Sequence, residues 1–149
     1  MPFRYIFHED FPWFAIFLGT LAYFTLGALW YSKLLFAPKW IAYNKIDVND
    51  PKAKKGMLLM FVGSLVLMFA QSLAIGILAD QLHESGVVGK WTSGIKLGAF
   101  TGCCFCAATI GVNYLYEKKP LGLFLINGGY AIAGNIISAI IICMMRNPL

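Results

Sequence analysis

No charged residue interrupts the chain from position 11 to position 31. An α-helix of about 20 apolar residues is what crossing a bilayer's hydrocarbon requires. The run leaves through Gly27-Ala-Leu-Trp30-Tyr31-Ser-Lys33-Leu-Leu-Phe36-Ala-Pro38-Lys39-Trp40. An apolar interior, an aromatic and lysine boundary and then a half-apolar stretch describe a helix that reaches the headgroups and turns along them. Trp30, Tyr31, Lys33, Lys39 and Trp40 are therefore assigned to the membrane interface.

Three further apolar runs follow, giving spans at about 11–31, 56–82, 91–116 and 121–145. The expected architecture is all-α, an integral membrane four-helix bundle with a short interfacial segment after helix 1, in a single membrane domain over 1–149. Asp10 reads as the N-cap of helix 1, with Pro12 in its first turn. After helix 1, Leu34, Leu35, Phe36, Trp40, Ile41 and Tyr43 mix unevenly with Lys33, Lys39 and Lys45, which suits an interfacial helix interrupted at Pro38. Asp50-Pro51 reads as the start of helix 2. Residues 1–10 carry Arg4, His8, Glu9 and Asp10, and the first apolar run is too long for a signal core, so that run is expected to be retained.

Composition agrees. Apolar residues make up 59% of the 149 and charged residues 13%, against about 25% charged in a soluble domain. A core of this size cannot hide so much apolar surface, so lipid must solvate part of it. The formal charge of +5 does not indicate nucleic acid, because the basic residues flank apolar spans instead of lining one face. They do indicate orientation. Lys33, Lys39, Lys45, Lys52, Lys54, Lys55, Lys118 and Lys119 follow helices 1 and 3, whereas the other side holds Arg4, Lys90, Lys96 and Arg146. The excess places both lysine-rich loops in the cytoplasm and both termini outside.

Small residues suggest where the helices meet. Gly94, Gly98 and Gly102 stand four apart on helix 3, a ridge that Thr109 and Asn113 would continue. On helix 1, Gly19, Tyr23, Gly27 and Trp30 share a face, and Gly134 supplies a small position on helix 4. The ridge partner is either another helix of the chain or a second subunit.

Polar residues inside spans are where function is sought in membrane proteins. Gln71, Asn113, Asn127, Tyr130, Asn135 and Ser138 are the candidates, with Asn127, Tyr130, Gly134 and Ser138 on one face of helix 4. They fit a polar-lined cleft for a lipid headgroup or small amphiphile. They fit better a dry bundle in which amides satisfy one another across helices. Cys103, Cys104, Cys106 and Cys143 read as small packing residues, since thiolates in hydrocarbon would need a metal to offset their charge. His8, Asp80, His83 and Glu84 are weak metal candidates on the outer side; no metal or other cofactor is expected. No residue pattern supports nucleophilic or acid–base catalysis, so no catalytic residue is assigned.

The exit motif at residues 27–36 with Trp40, together with the stretch from Asn113 through Pro120 to Leu125-Ile-Asn127-Gly-Gly-Tyr130, resembles a bacterial membrane family, that of domain of unknown function 1761. The resemblance spans nearly the whole chain. It implies a four-helix protein of the bacterial inner membrane and no established activity. The family's helix 4 motif often carries an Asp and a Gly-Tyr-His run, where this chain has Asn127 and Ala131. The expected role is a self-associating or accessory membrane subunit in contact with lipid, as a homo-oligomer or within a larger complex. The alternatives are a transporter, channel or amphiphile-binding protein and, third, a membrane enzyme on a hydrophobic substrate.

Overall fold

The computed structural model describes residues 9–47, 56–84 and 90–146. The N-terminal arm with His8 and the Asp50-Pro51 helix start with Lys52, Lys54 and Lys55 lie outside those residues. The described chain runs as α1 (Trp13–Trp30), α2 (Ala37–Asn44), α3 (Met57–Glu84), α4 (Trp91–Thr101), a π-helical segment (Gly102–Ala107), α5 (Ala108–Tyr116) and α6 (Leu121–Arg146). No strand occurs among the described residues. Four helices, with α4, the π segment and α5 forming one continuous span, are long and apolar enough to cross a membrane. The protein is a multi-pass helical bundle.

Two local expectations are corrected. Asp10 does not cap α1; Pro12 holds the cap position and no side chain bonds the first turn. The backbone supplies what the cap would, through Trp13 N–H to the Phe11 carbonyl at 2.7 Å and Ile16 N–H to that of Pro12 at 3.0 Å. Nor does Pro38 interrupt the interfacial helix. It lies in the first turn of α2, where its missing N–H would have no intrahelical partner in any case.

Helix α6 is the central element, packed between α1 on one side and α4 on the other, with α3 more loosely against it. Both close seams are antiparallel and both depend on glycine. Along the α4 seam, Gly94, Gly98 and Gly102 lie against the backbones of Ile140, Ile136 and Ile132, each step forward on one helix matched by an equal step back on the other. A Cβ at Gly94 or Gly102 would come within 2.6 or 2.7 Å of the opposing Cα. Such backbone approach lets dispersion and polar contacts replace the hydrophobic drive that lipid removes.

Along the α1 seam, Gly19 faces Ser138, Tyr23 covers Gly134, and Tyr130 covers Gly27. Large residues on each helix thus sit on small residues of the other. Beyond the bundle, the Tyr43 ring of α2 occupies the space above Gly122, holding the interfacial helix across the start of α6.

Helix α3 is the least enclosed of the four. Leu58 and Leu59 are 76% exposed, and only 11% of its apolar window is buried. It packs on α1 and α6 but meets α4 sparsely. The consequence is a gap on the side of α3 that faces α5.

At the opposite end from the lysine-rich loops, the last turn of α6 closes the bundle. Arg146 forms an ion pair with Asp80 of α3 and donates to the Asp10 carbonyl at 3.0 Å. Asp80 is 1% exposed. A carboxylate does therefore lie inside a span, although the sequence suggests Asp80 as part of a solvated outer cluster.

Candidate functional site

The site lies in the half of the bundle nearer the lysine-rich loops, in the gap between α3 and α5. Its walls are Tyr23 and Tyr31 from α1 and its C-cap, Ser64, Met68 and Gln71 from α3, Phe105, Cys106 and Thr109 near the π segment, Tyr114 from α5, and Asn127 and Tyr130 from α6. The cleft holds about 560 Å³, within the ~300–1,000 Å³ typical of small-molecule sites. A second hollow of about 740 Å³ between α1 and α3 adjoins it through Tyr31, Ser64, Met68 and Tyr130. Among the described residues, no charged one lines either hollow.

The π segment shapes one wall. A widened turn shifts every later residue's direction by about one residue's rotation, ~100°. The glycine ridge accordingly ends at Gly102. Thr109 and Asn113, expected to extend it, are both exposed. The turn brings Cys106, Thr109 and Tyr114 to the cleft and leaves Asn113 outside it.

Two hydrogen-bonded groups organise the walls. In the deeper one, Asn135 Nδ2 donates to the Ala131 carbonyl at 2.7 Å and to Gln71 Oε1 at 3.2 Å. The Tyr23 hydroxyl and the Cys106 thiol donate to that same Gln71 oxygen, at 3.3 and 3.5 Å. Thr101 Oγ1 lies 3.4 Å from Asn135 Oδ1 and donates to the Leu97 carbonyl at 3.0 Å. The second group lies toward the lysine-rich end. Tyr31 donates to Asn127 Oδ1 at 2.8 Å, and Asn127 Nδ2 donates to the Tyr114 hydroxyl at 2.6 Å. One amide thereby ties α1, α5 and α6 together.

Aromatic rings fill the space between these groups. Tyr130 meets Tyr23 and Tyr31 with centroids 5.2 Å apart in each case, and Trp30 at 6.2 Å. Its hydroxyl donates to the Tyr23 carbonyl at 3.3 Å and faces Met68 Sδ at 3.7 Å. Trp30 turns inward and donates to the Ile126 carbonyl at 3.1 Å, while Trp40 packs on Tyr31 at 5.7 Å. Lys33 and Lys39 stay exposed.

The polar candidates from the sequence thus separate. Gln71, Asn127 and Tyr130 line the cleft. Asn135 stands behind Gln71 and is 1% exposed. Ser138 is sealed in the seam, sharing a hydrogen bond of 2.9 Å with Ser72. Asn113 is exposed and outside the cleft. Sequence reasoning did not pick out Tyr23, Tyr31, Cys106 and Tyr114 as polar wall residues. Their aromatic or packing character masked hydrogen bonds that only the helix pairing creates.

Of the outer-side candidates, Asp80 is buried and paired with Arg146. His8 and the side chain of Glu84 lie outside the described residues, among which no group of three or more His, Cys, Asp or Glu could hold a metal ion. Of the cysteines, Cys103 and Cys104 are exposed, Cys106 is half-buried and Cys143 is buried, all as free thiols.

No curated protein and no solved structure matches the chain. A family model described as a protein of unknown function, DUF1761, matches residues 14–143. That match takes in nearly all of the first and last spans and everything between them, including both seams and the cleft: the chain belongs to the DUF1761 family.

Proposed function

We propose that this protein binds an amphiphile taken laterally from the bilayer, held in the cleft between α3 and α5. The observation that carries this reading is a tyrosine- and amide-lined cavity that opens toward lipid where α3 departs from α5. A dry structural bundle has no need of such a gap. Apolar walls from Leu67, Met68, Phe105 and Ile110 suit a lipid tail, and the two hydrogen-bonded groups suit a headgroup.

The lysine excess supports a cytoplasmic position for the cleft's half of the bundle, with both termini outside. The family resemblance supports the bacterial inner membrane. Native mass spectrometry of protein released from nanodiscs tests the binding. A stoichiometric small molecule on wild type that is lost on Asn127→Leu supports the reading; ligand-free protein overturns it.

The second reading is a self-associating or accessory subunit, as a homo-oligomer or within a larger complex. It is favoured by the broad apolar face of α3 from Met57 to Leu67. The glycine ridge of α4, the strongest sequence argument for association, is already used against α6. The exposed face of α3 is then the surface proposed for assembly, and a defined oligomer without ligand in the same spectra would favour it.

A further inference from the structure

We infer that the cleft selects an uncharged headgroup through hydrogen-bond-accepting carbonyls, such as those of a quinone or of an acylglycerol, with Gln71 Nε2 as the donor. This rests on the amphiphile-binding reading and adds the ligand's chemistry. Asn135 fixes the orientation of its neighbours. Its Nδ2 donates to the Ala131 carbonyl at 2.7 Å, a bond that a reversed amide could not make, so its orientation is fixed. That nitrogen also points at Gln71 at 3.2 Å, so the Gln71 atom facing it must be oxygen.

The same oxygen receives the Tyr23 hydroxyl and the Cys106 thiol. The carbonyl side of Gln71 is therefore committed to the protein. Its Nε2 has no acceptor among the described residues. No buried side-chain nitrogen or oxygen among them lacks a partner, so this nitrogen is not sealed in the core. The open space that Gln71 lines is the cleft, and we place the nitrogen there.

The second polar group has the same bias. Asn127 links Tyr31 and Tyr114, and in either orientation of its amide one tyrosine donates and the other accepts. One tyrosine hydroxyl hydrogen is left over, while the amide oxygen is engaged. Ser64 can serve either way. Among the described residues, what the cleft offers is thus mainly N–H and O–H, with no carboxylate for a cation and no Lys or Arg for a phosphate. Desolvating an ionic headgroup there would go uncompensated. The tyrosine faces, which could attract a cation, are largely taken up by neighbouring rings.

The test uses purified protein in nanodiscs and three probes with chains of similar length: a decyl-substituted benzoquinone, dioctanoylglycerol and decyltrimethylammonium. Tryptophan quenching reports the quinone, and competition against it reports the other two. If the quinone does not quench, isothermal titration reads the other two directly. At least one neutral probe should bind at least tenfold more tightly than the cation, and the tighter of the two identifies the source of the headgroup. Gln71→Glu keeps an oxygen toward Tyr23 and Asn135 but replaces the donor. Read at about pH 10, where the introduced carboxyl is ionised, it should lose neutral-probe affinity about tenfold and gain the cation.

If all three probes fail to bind, the cleft-binding reading itself is lost. Equal or tighter binding of the cation to wild type leaves that reading standing and overturns the donor argument. So does neutral-probe affinity that is unchanged in a folded, monodisperse Gln71→Glu. Should the variant not fold, the wild-type selectivity alone decides.

Discussion

The ring of Tyr23 lies over Gly134, occupying the volume that any side chain at position 134 would need. Tyr130 stands in the same relation to Gly27, so α1 and α6 each insert a tyrosine into a glycine of the other. Tyr23 is 2% exposed, and its hydroxyl reaches Gln71, so one residue both closes the seam and holds the cleft's donor in place. Tyr23→Ala should destabilise the protein by about 3–5 kcal/mol through the cavity it opens. Gly134→Ala should destabilise it by about 1–3 kcal/mol through overpacking. Thermal unfolding in detergent, followed by circular dichroism, measures both.

The glycines are not equivalent. At Gly98 a Cβ would collide with the backbone of α6, whereas at Gly63, within α3, nothing lies within 4 Å. Gly98→Val should therefore lower the melting temperature sharply and broaden the size-exclusion profile. Gly63→Ala should be neutral or stabilising by up to about 1 kcal/mol, since it removes only backbone freedom. Comparable losses from the two would argue against the α4–α6 seam.

Arg146 and Asp80 tie the end of α6 to α3. Arg146→Met leaves a buried carboxylate without that partner, which costs about 3–5 kcal/mol in comparable pairs. Adding Asp80→Leu should recover most of the loss, because two apolar groups need no compensation. A denaturant series on the single and double variants gives the coupling. Strict additivity would mean that the two side chains do not act together.

Asn127 is shared by Tyr31 and Tyr114, so Asn127→Leu should release both hydroxyls at about 0.5–1.5 kcal/mol for each bond. Its effect on any co-purifying molecule should exceed its effect on stability. Asn113→Leu should change neither, because Asn113 is exposed outside the cleft. Native mass spectra beside melting curves separate the two effects.

Sidedness has its own measurement. A reporter that is active only outside the cytoplasm, fused after residue 149, should be active. The same reporter inserted at the turn near Lys118 and Lys119 should be silent. The reverse pattern would reject the orientation argued from lysine placement.

The four spans and the lysine asymmetry were legible because lipid imposes length and charge rules that act on local sequence. The glycine spacing on α4 was legible for the same reason: a four-residue repeat makes a flat ridge whatever packs on it. Neither rule names the partner. That α6 sits between α1 and α4, that Tyr23 and Gly134 share one volume, and that Asp80 meets Arg146 across the chain depend on contacts between residues far apart in sequence. The π segment turned Thr109 and Asn113 away from the expected face, because a one-residue change in helical winding redirects everything after it without leaving a mark in composition. The sequence thus determined which segments cross the membrane and which end carries the lysines. Tertiary structure decided which polar groups satisfy one another and which donors remain for a ligand, because a hydrogen bond is set by tenths of an ångström between helices, not by spacing within one.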